Sequence, residues 1–286
     1  MICHQLVSRH ALFGPRQART VCGALPRGSC RPPRGPRNRT AAGHPRQGRP
    51  GTPACRGRRS PWCDVTDRLR TAGHDVHPVT LTNLGERAHL GGVDTGLDTH
   101  ITDIVNVILH EDLRDVVLVG HSYAGTVLPG LADRVLATRV YVDSAPTADG
   151  ESHFGIHPAE AIEGMAGHVR EHGDGWRLPA PDFAEMAAHP GGEGLTGEQC
   201  RLIQPRTSDH PFATVTEPLA LTGSDTSEHR RIVITCNAFR GLAEAGIGRY
   251  QQAAAALEMH HLTTGHWPMF TAPQELADLL NSAAKA

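Results

Sequence analysis

Hydrophobic and polar positions along the chain fall into two regimes that meet near residue 61. Up to residue 60, runs such as Arg31-Pro32-Pro33-Arg34-Gly35-Pro36-Arg37 leave no room for helical or alternating apolar periodicity. That segment can bury little and is expected to be irregular or disordered. From Trp62 the pattern changes. Asp64 is placed to cap a short helix carrying Val65 and Leu69 and stopped by Gly73, and a strand is expected over Val76 to Leu81. Asp98 is expected to cap the clearest helix, whose Ile101, Ile104, Val105, Ile108 and Leu109 repeat at the spacing of one apolar face. Val116 to Val119 is a continuous β-branched run, as a parallel strand covered on both faces requires, and it ends at Gly120. Val140 to Val142 is a second such run, ending in Asp143.

Residues 146–230 break this alternation with short helical patches, Gly/Pro joints and the bulky apolar side chains Phe154, Trp176, Phe183 and Met186. An inserted lid reads this way. Strand character resumes at Ile232 to Thr235 and again at Leu257 to Leu262, and Pro273 opens a last helix with Leu276, Leu279 and Leu280 inward. Strands alternating with helices predict a mainly parallel sheet in an α/β domain over 61–286, after an irregular segment over 1–60.

Charge sharpens the boundary. Residues 1–63 hold 13 Arg and no Lys, Asp or Glu, which leaves 15 basic side chains for the rest against all 30 acidic ones. An Arg-rich stretch can serve nucleic acid, but this one lacks interleaved aromatics and any recognisable module, so no nucleic-acid partner is expected. Five of the seven cysteines fall in the same stretch, without a CxxC pair or zinc-ligand spacing, and no metal or other cofactor is expected. Cys200 and Cys236 read as buried small hydrophobes. No apolar run approaches membrane-spanning length and no secretory signal is visible, so the expectation is a cytoplasmic chain without a membrane partner.

Chemistry concentrates at Gly120-His121-Ser122-Tyr123-Ala124-Gly125, between a buried strand and a helix. A strand-to-helix turn this tight needs small residues two before and two after the serine, and Gly120 and Ala124 supply them. The helix start directs backbone N–H groups at a developing oxyanion, which makes Tyr123 N–H the expected first donor. A serine hydroxyl also needs a base. His266, in Thr264-Gly265-His266-Trp267-Pro268 between the last strand and the last helix, is the candidate among 19 histidines.

With these residues in view, Val116 to Tyr123, Thr80-Leu81-Thr82-Asn83-Leu84-Gly85-Glu86-Arg87-Ala88-His89-Leu90, Tyr141-Val142-Asp143 and Thr264-Gly265-His266 resemble the α/β-hydrolase fold family, specifically bacterial carboxylesterases related to plant methyl-salicylate esterases and hydroxynitrile lyases. The resemblance covers residues 61–286. It implies a cofactor-free Ser-His-Asp esterase with a helical lid over a small apolar pocket. Ser122 and His266 would be catalytic, and Phe154, Trp176, Phe183 and Met186 would cover a small-molecule ester; a homodimer is an open assembly.

Two departures stand out. Where the plant enzymes carry the triad acid, in the turn after Ile232 to Thr235, this chain reads Cys236-Asn237-Ala238-Phe239. Asp143, at the end of the strand that follows the elbow helix, is the candidate acid, weighed equally against a plain turn aspartate; Asp225 and Glu244 are weaker. The family also opens with an apolar strand whose loop supplies the second oxyanion N–H, and nothing upstream of Trp62 matches it. The N-terminal strands are therefore expected to be missing or replaced. The alternative function is a degenerate, catalytically impaired hydrolase fold that binds a ligand or nothing. A cyanohydrin lyase is disfavoured, because the lysine that chemistry needs by resemblance is absent: the only Lys is Lys285 at the tail.

Overall fold

The computed structural model describes residues 4–10, 60–132, 134–223 and 230–285. Strand β1 (His4–His10) is followed by helix α1 (Cys63–Thr71), β2 (His74–Thr80), α2 (Leu97–His110), β3 (Val116–His121), α3 (Ala124–Ala132) and β4 (Ala137–Val142). The segment after β4 holds α4 (Ala159–His172), β5 (Arg177–Leu178), α5 (Phe183–Met186), α6 (Gly197–Ile203), β6 (His210–Pro211) and α7 (Phe212–Thr216). Then come β7 (Arg231–Thr235), α8 (Asn237–Glu244), α9 (Gly248–Ala256), β8 (Glu258–His261), α10 (Pro268–Thr271) and α11 (Pro273–Lys285).

Six strands form one sheet in the order β2-β1-β3-β4-β7-β8, while β5 and β6 pair separately. The β3–β4, β4–β7 and β7–β8 pairs are parallel. β1 runs antiparallel to both neighbours, with Gln5 opposite Val79 and Gly120. A strand at His4–His10 corrects the expectation of an irregular segment for those seven residues. A slot between two strands offers unpaired backbone on both sides, and pairing there needs backbone N–H and C=O groups rather than an apolar rhythm. Residues 1–3 and 11–59, the remainder of that segment apart from 60, lie outside the described residues.

Alternation along the parallel strands divides the core. Val116 and Leu118 of β3, Tyr141 of β4 and Val233 of β7 pack with α2, α3 and Phe239 on one face. Val117, Val119, Val140, Val142, Ile232 and Ile234 pack with α1 and α11 on the other. Each such side chain removed from water contributes roughly 1.5–3 kcal/mol, so a sheet covered on both faces is where the fold's stability sits.

Both predicted helix caps are corrected. Asp64 lies within the first turn of α1, whose N-cap position is Trp62 without a side-chain cap; a turn at Ser60 leads into the helix, its Oγ accepting from Trp62 N–H at 3.2 Å and its carbonyl from Cys63 N–H at 3.1 Å. α2 starts at Leu97, and Leu97 N–H is satisfied at 2.8 Å by Glu217 Oε2, 120 residues away in sequence. Local pattern cannot show a cap that arrives from another part of the chain. The buried stripe of α2 is Leu97, His100, Ile101, Ile104 and Ile108; Leu109 is 65% exposed. The loop after β2 is tied to α2 through Asp103, which accepts from Thr82 N–H at 2.6 Å and pairs with Arg87 at 3.0 Å.

The α2 cap yields a stability test. Glu217→Ala should lower the unfolding free energy by about 1 kcal/mol, whereas Glu217→Gln, which keeps an acceptor oxygen, should lose less. Urea midpoints at constant m-value decide it, and equal midpoints for Ala and wild type would remove the cap.

Candidate active site

The carboxyl ends of β3, β4, β7 and β8 converge on one point, the edge of a parallel sheet where turns can present side chains to a cavity. Ser122 follows β3 directly at φ +53°, a left-handed conformation that costs a serine strain and is held by its surroundings. Ser122 N–H donates to the Val142 carbonyl at 3.1 Å, and the Ser122 carbonyl accepts from Gly125 N–H at 2.9 Å and Ser144 Oγ at 2.8 Å. The turn leaves no space around it: a Cβ on Gly120 would come within 2.7 Å of the Ala124 carbonyl oxygen, and one on Gly125 within 2.2 Å of Ser144 Oγ. These contacts account for the small-residue pattern.

Asp143 follows β4 at φ +44°, and its side chain is fully buried. Its Oδ1 accepts from the N–H groups of Cys236 at 2.8 Å and Phe239 at 3.1 Å. Its Oδ2 lies 2.6 Å from His266 Nδ1. Burial works to raise the Asp143 pKa, but the hydrogen bond and charge of His266, with the Cys236 N–H, outweigh it and hold the carboxyl below its ordinary value. The carboxylate is therefore ionised at neutral pH and accepts a proton-bearing His266 Nδ1–H, which leaves Nε2 of that ring as the basic nitrogen. Among the aspartates and glutamates that sequence leaves open, Asp143 alone is brought to His266 in this way; Asp225 lies outside the described residues, and Glu244 ends α8, ion-paired with Arg240.

His121, the residue before Ser122, supports the histidine loop. Its Nε2–H donates to the His266 carbonyl at 2.6 Å, and its ring packs 4.6 Å from the His266 ring and 5.3 Å from Trp267. Burial, then the charge of His266, lowers the His121 pKa to about 3. Behind the elbow, Tyr123 is fixed through its hydroxyl, which donates to His100 Nδ1 at 2.8 Å while His100 Nε2–H donates to the Thr82 carbonyl at 2.8 Å. Burial also lowers His100 to about 4 and His153 to about 3, so these two rings, like His121, are neutral at pH 7. Cys236 beside Asp143 is buried, and burial followed by the Asp143 charge pushes its thiol pKa up, which makes it unreactive.

A cavity of about 220 Å³ opens beside Ser122, lined by His121, Leu178, Phe183, Met186, His210, His266 and Trp267 with the prolines of the inserted segment. Two of the four side chains expected to cover a substrate, Phe183 and Met186, are there. Phe154 and Trp176 are not: Phe154 packs at 6.2 Å against Phe212 in the core, and Trp176 lies beneath the Arg177 guanidinium. Bulk and apolarity mark all four alike, and only the fold of the insert separates cover from core. His210 and Trp267 line the cavity without having been singled out; a histidine in a polar segment carries no local signal. A larger groove of about 540 Å³ between α1 and α11 contains no Ser, Cys or His. Among the described residues no cluster of three or more His, Cys, Asp or Glu is placed to hold a metal ion, and no helix is long and apolar enough to cross a membrane.

An elbow serine, a carboxylate-oriented histidine and a sheet of this order define a hydrolase class. The chain belongs to the alpha/beta hydrolase family, whose sequence model matches residues 43–279. It is 30% identical over 232 residues to a carbendazim hydrolyzing esterase of Nocardioides sp., covering 77% of this chain and 93% of that protein. In fold it is similar to an extracellular alpha/beta-hydrolase from a Paenibacillus species, at TM-score 0.66 and 18% identity over 79% of this chain and 94% of that one. It is also similar to a pyrethroid hydrolase from Sphingobium faniae, at TM-score 0.57 and 18% identity, and to tomato methylketone synthase I, at TM-score 0.60 and 15% identity, each over 79% of this chain and 92% of the other. Family and relatives support hydrolysis of esters in general.

The depressed Asp143 pKa has a measurable sign. A carboxyl held below its unfolded value stabilises the fold above that value and loses the contribution as pH falls through the folded one. The stability gap between wild type and Asp143→Asn should therefore be constant above about pH 5 and shrink below about pH 4. A gap independent of pH down to 2, measured by urea unfolding, would contradict the ionised assignment.

Proposed function

We propose that this chain hydrolyses small carboxylic esters through a serine acyl-enzyme. One observation carries the proposal: a buried carboxylate 2.6 Å from His266 Nδ1, at a histidine that shares its cavity with the elbow serine. Ser122 Oγ attacks the ester carbonyl carbon while His266 Nε2 takes the hydroxyl proton, and Asp143 stabilises the resulting imidazolium. Tyr123 N–H, at the start of α3, donates to the oxyanion. Collapse of the tetrahedral intermediate breaks the bond to the alcohol oxygen, which leaves with the proton from His266. Water, deprotonated by His266, then attacks the acyl-enzyme and releases the acid and Ser122.

The inserted segment between β4 and β7 serves as the lid, with Phe183 and Met186 excluding water from the acyl or alcohol group. A cavity of about 220 Å³ sets the scale of the substrate, below the ~300 Å³ at which sites for drug-sized ligands begin. The 30% identical relative, a carbendazim hydrolyzing esterase, makes carbendazim a first substrate to test. The alternative, a catalytically impaired hydrolase fold, is favoured by one feature, the reversed direction of β1 beside the elbow strand.

Purified protein is expected to hydrolyse p-nitrophenyl acetate and butyrate and to be labelled by a fluorophosphonate. Ser122→Ala should abolish both, and Asp143→Asn should lower kcat by about 10⁴ with a small change in KM, as loss of the orienting carboxylate does in serine triads. Folded protein, verified by circular dichroism, that shows neither turnover nor labelling would leave the impaired-fold alternative standing.

A further inference from the structure

Helix α4 ends on the run His168-Val169-Arg170-Glu171-His172. Side chains four apart on a helix share a face, and the two imidazole rings lie 4.6 Å apart between centroids. His168 is exposed and the His172 side chain is 51% exposed, so neither ring belongs to the core. Two histidines one turn apart with an adjacent glutamate, in the order His-x-x-Glu-His, are a metal-binding arrangement: the rings ligate, and the carboxylate lies beside the ion. Here the Glu171 carboxylate is 3.6 Å from His172 Nε2, near enough to attract a bound cation and too far to hold the ring by a hydrogen bond. The negative end of the helix dipole favours a cation at the same turn, and the guanidinium of Arg170 is paired with Glu163 at 2.9 Å.

The helix is weak where such a bridge would form. Gly164 and Gly167 lie in its interior, where glycine gives up more backbone freedom than any other residue. Its N-cap, Pro158, supplies no side-chain hydrogen bond, and Val169 is its only buried residue. Space for an ion is present as well: a Cβ on Gly164, one turn before His168, would meet nothing within 4 Å, and helical side chains lean toward the preceding turn. Imidazoles take transition-metal ions, whereas Mg²⁺ and Ca²⁺ prefer oxygen ligands. Among the described residues no third His, Cys, Asp or Glu completes a ligand cluster, so the pair lacks the three protein ligands of a catalytic zinc centre and water takes the remaining positions.

We infer that His168 and His172 together bind a divalent transition-metal ion, Cu²⁺ ahead of Ni²⁺ and Zn²⁺, and that the bridge stiffens the last turn of α4. That turn runs through Gly173 into β5, where Arg177 N–H donates to the Gly173 carbonyl at 2.8 Å and Leu178 lines the cavity beside Ser122. The ion therefore sits on the segment that leads to the cavity wall, outside the cavity itself. Its binding does not depend on the ester-hydrolase function proposed above.

The test uses the untagged full chain, titrated with NiCl₂ by calorimetry beside His168→Gln and His172→Gln. Histidines elsewhere also take Ni²⁺, so the site is read as a difference between proteins. Wild type should show a binding event that each variant loses or weakens by about tenfold or more, since even a supporting residue of a metal site is worth that much. Glutamine keeps the helix and both positions are exposed, so the variants should stay folded, which circular dichroism verifies. Amide hydrogen exchange then locates the ion: saturating NiCl₂ should slow exchange over residues 168–173 in wild type and leave it unchanged in the double variant, and MgCl₂ should slow it in neither. Isotherms that coincide for wild type and both variants overturn the inference. So does an α4 that is not slowed in wild type, or a slowing that survives in the double variant or is matched by MgCl₂.

Discussion

A single buried carboxylate joins the parts of the molecule that have to meet. Asp143 ends β4, its Oδ1 collects the first N–H groups after β7 at Cys236 and Phe239, and its Oδ2 holds the loop after β8 through His266. An ion buried without partners would be prohibitively costly, and the three contacts together offset that cost. The same contacts fix the tautomer of His266. Under the proposed function, stability and chemistry make one demand on Asp143: the group that ties together the ends of three adjacent strands is also the one that would orient the base.

His121 extends this logic to the elbow strand β3. It is the last residue of β3, adjoins Ser122, and donates to the His266 carbonyl. Serine and histidine are consequently held to one another by backbone and by a neutral imidazole, not only by the pair they would form in catalysis. A neutral ring suits that task, since a charged neighbour would compete with Asp143 for control of His266. The depressed pKa values of His100, His121 and His153 follow from burial first and come without loss of hydrogen bonding.

The elbow was legible because its requirements are local: a tight turn needs Gly120, Ala124 and Gly125, and the flanking strand and helix announce themselves by period. His266 was legible from chain order. Asp143 was only half legible, because its neighbours in sequence fit a turn aspartate equally well and the partners that decide the matter are 93, 96 and 123 residues away. The same distance problem hid Glu217 as the cap of α2 and His210 as a wall of the cavity, and it made Phe154 and Trp176 look like cover. Apolar bulk is a property of the residue; which surface it faces is a property of the fold.

Strand direction is the clearest case of information that local pattern does not contain. The resemblance implies a strand whose following loop reaches the elbow and supplies a second oxyanion N–H. β1 occupies the slot between β2 and β3, yet Gln5 is paired with Gly120 and Arg9 with Val116. Its first residues are therefore the ones beside the elbow, and the chain leaves β1 at the opposite edge of the sheet. Hydrogen bonding in the sheet is satisfied either way, because an antiparallel ladder is at least as strong as a parallel one. The chemistry is not indifferent: one oxyanion donor accounts for about 10² to 10³ in kcat. The sheet is thus complete whichever way this strand runs, and under the proposed function the oxyanion donor that local sequence does specify is the elbow's own Tyr123 N–H.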